Sequence, residues 1–424
     1  MKNSVMIIAA VAVAVVVVAA AGIVLLNNKD DSGYRSADTS GRLMIMGNAN
    51  NDDYLDDEDV STLEKFIKDN KADWKDTNPL ADANNDGNLT QEDVDMVKKM
   101  VNRESMSIYF AYIDDSNALV VKSISYPIKN IMIVGDDVVI ALQGINATSK
   151  CRGVAVSDFD NPINACVKDY THIGTKSTAA DVSLASNAAD KDTVLITSAA
   201  SRYLTNEDAF VNAGIPVVRM NVGSTTCNAG FLTVGYLLGL EEAANKIVKF
   251  SDDITSNIAS KVKDLEKRSK VIVANRTKNI SGKSSEYYAI AEKAGAENMI
   301  DYNQSHTSFD KSKDDWLYAI QLDYILHFTS LGYGEVDADS QFTTYATNFT
   351  DTDAYKAGHY YLLNANMPMC VCVAFAASLI YSDIFGTDYG YDCLSEYVKD
   401  YTCLPDTYDV KSGSYLFCKG STAN

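Results

Sequence analysis

The sequence predicts an α/β protein of two Rossmann-like lobes joined by one long helix, with a small all-α module and a transmembrane helix ahead of them. Three observations predict this. Short apolar runs bounded by polar loops alternate with helical patterns over most of the chain, as expected where strands are buried on both faces of a parallel sheet. Residues 241–267 contain no Gly or Pro and space Ala244, Ile247, Val248, Ile254, Ile258, Val262 and Leu265 at helical intervals. Two twelve-residue runs rich in Asp and Asn, 48–59 and 82–93, each lead into a helical pattern.

Composition narrows the function classes before any element is placed. The 424 residues are 46% hydrophobic and 22% charged, an ordinary globular balance. A formal net charge of −20 repels phosphate backbones, no basic run interrupts it, and no nucleic-acid partner is expected. A mean hydropathy of −0.12 excludes a polytopic membrane protein. One apolar span remains, Val5 to Leu26, with Lys2 before it and Asp30-Asp31 beyond it. It is long enough to cross a hydrocarbon core of about 30 Å as a helix. The charge asymmetry leaves the N-terminus inside and the bulk of the protein on the extracytoplasmic face. Residues 1–26 therefore read as a membrane anchor, with a cleaved signal peptide as the alternative.

Outside the cytoplasm, the eight cysteines could form up to four bridges. The local pairings expected are Cys151 with Cys166 and Cys393 with Cys403, against the reading that most are small buried hydrophobes. Cys370-Val371-Cys372 lacks a second Cys/His pair at metal spacing and is no zinc motif by itself.

Residues 27–41 are polar and read as a linker. In the run that follows at 82–93, Asp82, Asn84, Asp86, Asn88, Thr90 and Asp93 stand at positions one, three, five, seven, nine and twelve, with Gly87 at six. Calcium takes six to eight hard oxygen ligands, including a backbone carbonyl at position seven, and needs a sharp turn that glycine at six supplies. The upstream copy places Asn48, Asn50, Asp52, Tyr54, Asp56 and Asp59 at the same positions, with Asn at one and Asp53 at six, so its site is expected to be weaker. Calcium is the cofactor expected. Residues 27–105 carry 19 acidic and 10 basic residues, a balance of −9 that the cation would offset. Paired loop–helix copies of this kind resemble a dockerin module over 42–104. The resemblance implies a cohesin-like partner; a calcium-stiffened stalk is the alternative.

Beyond the module, residues 107–113 and 118–124 alternate apolar and polar side chains around Asp114-Asp115-Ser116-Asn117, a hairpin signal. A buried strand is expected at 130–134, a helix at 136–142, and strands at 153–156, 194–197 and 216–220. After the long helix come a strand at 270–274, a helix at 284–294, strands at 323–327 and 360–363, and helices at 368–381 and 391–401. Two such lobes place the carboxyl ends of their strands at a ligand cleft.

Pro127-Ile-Lys-Asn-Ile-Met-Ile-Val134, Asn212-Ala-Gly-Ile-Pro-Val-Val218, Ala294-Gly-Ala-Glu-Asn298 and Asp353-Ala-Tyr-Lys-Ala-Gly-His-Tyr-Tyr361, in that order around the long helix, carry a resemblance. The chain resembles the helix-linked class of ABC-importer solute-binding proteins for ferric siderophores, haem and cobalamin. That implies a solute-binding domain at 106–424, with lobe one at 106–239, the linking helix at 241–267 and lobe two at 268–424. It also implies a non-enzymatic role, an ABC permease as partner, and one iron complex, haem or corrinoid held per chain.

Arg202 and Arg276 follow strands of the two lobes, where a guanidinium fork suits an anionic ligand. Asn221, Tyr302 and His327 are further candidates for the ligand site. The resemblance also implies an exposed acid on each lobe for permease docking, and Asp315 and Asp181 stand nearest the required places. Gly282-Lys283-Ser284 invites a phosphate-loop reading, but the first glycine of that motif should fall at Thr277. No GxSxG or HExxH motif is present, so no hydrolase is expected.

Overall fold

The computed structural model describes residues 43–116, 118–174, 180–222, 227–285, 287–334, 336–411 and 418–421. The span expected over 1–26 and the linker lie outside the described residues, and among the described ones no helix is long and apolar enough to cross a membrane. The chain divides into two compact units, one including residues up to 158 with 167–248, the other 159–166 with 249–424.

The first unit begins with the loop–helix copies. Helix α1 (Asp57–Lys68) and helix α2 (Gln91–Val101) each open with a capping box, Asp56 with Asp59 and Thr90 with Asp93. Each box satisfies two orphan N–H donors reciprocally, which fixes where the helix starts. Both helices bury an apolar stripe, Val60 and Leu63 on one, Val94, Val97 and Met100 on the other.

These helices are part of the first unit through specific bonds. Strand β1 (Met106–Ile113) pairs antiparallel with β2 (Leu119–Tyr126), and Ile45 bridges Phe110 on β1. Met46 N–H donates to Tyr109 O at 3.0 Å, and Ala111 N–H donates to Met44 O at 2.8 Å. Met44, Met46 and Leu80 share one apolar cluster with Ala111 and Ala229.

A five-stranded parallel sheet follows, made of β3 (Asn130–Val134), β4 (Cys151–Ala155), β5 (Thr171–Gly174), β6 (Thr193–Ser198) and β7 (Val217–Met220) in the order β5-β4-β3-β6-β7. All six residues of β6 and all four of β7 are buried. Helices α3 (Asp136–Gly144), α4 (Val182–Ala188), α5 (Glu207–Asn212) and α6 (Cys227–Leu238) belong to this unit. On α6, Thr233 Oγ1 accepts from Met44 N–H at 3.0 Å, and the Tyr236 hydroxyl donates to Met100 O at 3.2 Å. Arg103 stacks 4.5 Å over the Tyr236 ring, donates to the Tyr126 hydroxyl at 2.6 Å, and pairs with Glu241.

The long helix α7 spans Glu241–Val262, five residues shorter than the expected 241–267. The physical reason lies at its end. Val262 packs so tightly on Gly295 that a Cβ there would sit 2.6 Å from it, while the charged tail beyond has only Leu265 to bury.

The second unit has a mixed sheet around parallel β8 (Lys270–Asn275), β12 (Tyr324–Thr329) and β13 (Tyr360–Asn364). Strand β9 (Asn279–Ser281) runs antiparallel to β8, β10 (Glu297–Asn298) parallel to it, β11 (His306–Ser308) antiparallel to β9, and β14 (Cys418–Gly420) antiparallel to β13. Helices α8 (Tyr288–Lys293), α9 (Ala338–Ala346), α10 (Met369–Ile380) and α11 (Tyr389–Tyr401) complete the unit. α10 is apolar all round and nearly all buried, as a central core helix must be.

The expected cysteine pairs are not formed. Cys151 lies in buried β4, where burial pushes its thiol up to about 12. Cys393 lies on the buried face of α11, and burial pushes it up to about 12 as well. Cys403 falls just beyond α11 and faces Cys166 instead: Cys166 N–H donates to its sulfur at 3.3 Å.

Thr233→Val removes the acceptor of a buried N–H without changing side-chain volume. We expect a loss of about 1–3 kcal/mol in chemical denaturation. An unchanged midpoint would mean that the Met44 segment is not part of the cooperative unit.

Candidate functional site

In the first unit, the polar groups gather where β3, β4 and β6 end. Gly135 turns the chain with φ +114°, and Asp136 and Asp137 open α3. The Asp136 carboxylate accepts from Ser157, just beyond β4, through its N–H at 3.2 Å and its hydroxyl at 2.5 Å. Beyond β6, Ser201 donates through its N–H (2.8 Å) and its hydroxyl (2.6 Å) to Asp115 at the hairpin tip. These bonds, the hydroxyl's foremost, hold the Asp115 carboxyl below its ordinary value.

Arg202 is exposed on the next residue, its guanidinium 4.8 Å over the Tyr203 ring, and the Tyr203 hydroxyl donates to Asp137 at 3.1 Å. An open depression of about 700 Å³ runs from Ser201 and Arg202 to Lys122, Glu207 and Arg219. Two of its cations are committed to Glu207, Lys122 at 2.5 Å and Arg219 at 2.6 Å. Burial pushes Glu207 up, but these two partners prevail and hold it below its ordinary value. Arg219 is further fixed by the carbonyls of Ser198 and Leu204. Arg202 is thus the cation of this edge that the fold leaves most exposed, with neutral and anionic oxygens around it.

In the second unit, the corresponding strand ends carry amides. Asn364 Oδ1 accepts from Leu331 N–H at 3.2 Å while its Nδ2 donates to Gly332 O at 2.7 Å. Asn366 Oδ1 accepts from Gly332 N–H at 2.8 Å. Arg276, immediately after β8, is exposed and holds a left-handed φ of +51°. Its carbonyl accepts from the Nε2–H of His327, whose Nδ1 accepts from the Tyr360 hydroxyl at 2.8 Å.

The sequence-selected residues therefore separate into two groups. Arg202 and Arg276 lie exposed at strand ends, as expected. His327 is fully buried with both ring nitrogens engaged, so it shapes the Arg276 turn from below. Asn221 is also buried and grips the end of β1, accepting from Ile113 N–H at 3.0 Å and donating to Ile113 O at 2.7 Å. Tyr302 is half-buried; its hydroxyl donates to Ile280 O at 2.8 Å, and burial pushes it up to about 12.

Gly282 lies so close to Gln304 O that a Cβ would meet it at 2.2 Å, Lys283 pairs with Asp301, and α8 starts only at Tyr288. No phosphate loop is formed there. Asp315 and Asp181 are both exposed, and Asp181 caps α4 by accepting from Leu184 N–H at 2.9 Å. Sequence reasoning missed Asp136, Ser157, Ser201 and Asn366. Their only signal was position, two or three residues past an apolar strand's end.

The two acidic loops show what their polar side chains do. Asp82 accepts from Gly87 N–H at 2.7 Å and Asp86 N–H at 3.1 Å, with Gly87 at φ +87°. Asp93, fully buried, accepts from Asn84 and Thr90 N–H groups. In the first loop, Asp59 accepts from Ala49, Asn50 and Asp56, and burial pushes it up to about 7. Asn48 Oδ1 is buried with no hydrogen-bond partner. Asp53, at position six, shows no positive φ. Among the described residues no group of three or more His, Cys, Asp or Glu converges as a metal site. The donor set is all hard oxygen, which fits calcium by type, and the second loop has the turn that the first lacks.

Residues 192–367 match the family model described as periplasmic binding protein. The structure is similar to the TroA-like periplasmic binding protein FepB of Veillonella parvula, at 15% identity and a TM-score of 0.55, covering 74% of this chain and 99% of that one. It is similar to a periplasmic solute-binding protein of the same organism, at 17% identity and a TM-score of 0.52, covering 73% and 97%. Helicobacter pylori CeuE with Ni(II) bound matches at 16% identity and a TM-score of 0.50, covering 70% and 97%. None of the curated proteins compared matches the sequence. The chain thus shares the fold of these periplasmic binding proteins, a mixed α/β architecture built around parallel strands.

His327 makes a pH prediction. Burial, the larger influence, lowers its ring from 6.5 to about 4, against the pull of the Arg276 carbonyl. Its folded form prefers to stay neutral, so stability is full above about pH 6.5 and is lost as pH falls toward about 4, by about 3 kcal/mol. Denaturation of wild type and His327→Gln across that interval should show a shallower fall in the variant. Parallel curves would contradict the assignment.

Proposed function

We propose that this protein is the extracytoplasmic solute-binding component of an ABC importer, capturing an iron complex such as a ferric siderophore, haem or a corrinoid and delivering it to the permease. The observation that carries this reading is the fold: a binding-protein architecture that spans nearly the whole of the compared proteins. The Ni(II) in the CeuE structure is in keeping with a metal-containing cargo. On this reading Arg202 and Arg276 contact anionic groups of the ligand. The protein binds and releases without turnover. Asp181 and Asp315 are the acids we assign to permease docking, and the apolar N-terminal span is the membrane anchor.

A thermal-shift series on residues 27–424 against ferric siderophores, ferric citrate, haem and cobalamins tests the proposal. A ligand at a hundredfold excess over Kd adds about 2.7 kcal/mol of stability. Arg202→Ala and Arg276→Ala should each weaken binding about 10- to 100-fold, the worth of a hydrogen bond to a charged group. No response to any of these ligands would sink the importer reading.

The two acidic loops we assign to calcium, as a dockerin-like module. The bonding of the Met44 segment to β1 and α6 favours a cation that stiffens the first unit over a freely presented module for a cohesin-like partner. Calcium should raise the melting temperature, and Asp82→Ala should remove most of that rise. Because Asp59 sits near pH 7 when no cation is bound, calcium uptake by the first loop should release protons in weakly buffered solution, with affinity falling as pH drops below about 7. Titration calorimetry in buffers of different ionisation enthalpy reads the proton count, and a count of zero would remove Asp59 from the ligand set.

A further inference from the structure

We propose that Cys166 and Cys403 are the redox-active pair of this protein and close a disulfide within the second unit. Cys166 ends the short segment 159–166, which belongs to the second unit although residues on both sides of it belong to the first. The segment is seated on its unit at three places. Asn161 lies 3.0 Å from where a Cβ of Gly332 would stand, Pro162 lies 4.0 Å from that of Gly334, and Cys166 N–H donates to the Cys403 sulfur at 3.3 Å.

The Cys166 side chain also hydrogen-bonds the Cys403 sulfur, so the two sulfurs are in contact. The Cys403 thiol is also anchored from the other side, donating to Ile163 O at 3.2 Å. The hydrogen bond from the Cys166 thiol, foremost, lowers Cys403 to about 7 against the effect of burial. Cys403 is therefore the thiolate that attacks first, whereas burial pushes Cys151 and Cys393 up to about 12.

The oxidant is a disulfide, either a low-molecular-weight one such as oxidised glutathione or that of an extracytoplasmic thiol oxidoreductase. The Cys403 thiolate attacks one of its sulfurs, forming a mixed disulfide and expelling the other sulfur as a thiolate. The Cys166 thiolate then attacks the Cys403 sulfur, closes the protein disulfide and expels the second thiolate. The two protons end on the expelled thiols, and the two electrons have passed to the oxidant. Only the source of that oxidant in the cell rests on the extracytoplasmic reading above.

The bond would tie position 166, one residue before the first unit resumes, to position 403. Reducing conditions would remove the bond.

The test uses the whole chain, reduced and then exposed to oxidised glutathione, with remaining thiols alkylated before tryptic digestion. Cys166 and Cys403 fall in peptides 153–168 and 400–411, each with one cysteine. The expected result is near-complete linkage of these two peptides, lighter than their sum by two hydrogen atoms, and a higher melting temperature than in the reduced protein. Cys166→Ser and Cys403→Ser should each leave the partner peptide alkylated and abolish the redox-dependent rise. Alkylation of both peptides after oxidation, or linkage of either to another cysteine, overturns the proposal. No ligand enters this mapping, so its outcome is independent of the importer reading.

Discussion

A parallel strand covered on both faces can carry a polar group along its length only if that group is paired, and that constraint organises this molecule. Every side chain of β6 and β7 is buried, as are the central residues of β8 and β12. Hydrophobic burial of this kind supplies the driving force for each unit, at about 25 cal/mol per Å² of apolar surface. It also leaves the chain no place for Asp136, Ser157, Ser201 or Asn366 except the turns where strands stop. The candidate ligand surface is a by-product of the way the core is filled.

Within those turns, the fold decides which polar groups are buried and which are exposed. Arg219 sits within the first sheet and is consumed by Glu207 and by carbonyls, so it supports the turn between β6 and α5. Arg202, a few residues past β6, projects outward. Likewise His327 is spent under the Arg276 turn, which leaves the Arg276 side chain exposed. In both units a buried polar residue holds the backbone that presents an exposed guanidinium, because an unpaired buried polar group is costly and a paired one fixes geometry.

The acidic loop–helix copies illustrate a second economy. Their helices are too short to be stable alone in water, and their apolar stripes need a partner. Met44, Met46 and Leu80 find it on the hairpin, while Thr233 and Tyr236 bond the backbone at both ends of the module. Capping boxes made by Asp56 with Asp59 and by Thr90 with Asp93 set the helix starts, so local interactions fixed the boundaries and long-range packing fixed the placement.

What the sequence by itself determined was periodic or local. The alternation of the hairpin, the apolar runs of the parallel strands, the helix starting at Glu241 and the twelve-residue loops with Gly87 were all legible, since their signals lie within a few residues of each other. Strand ends read within about two residues, which is enough to select Arg202 and Arg276 but not Asp136 or Ser157. Only tertiary structure decided that His327 and Asn221 face inward, since a side chain's burial depends on elements far away in sequence. It likewise decided that Cys403 meets Cys166 rather than Cys393: the 159–166 segment returns to a unit formed mostly by residues after 249, and no local spacing records such a contact.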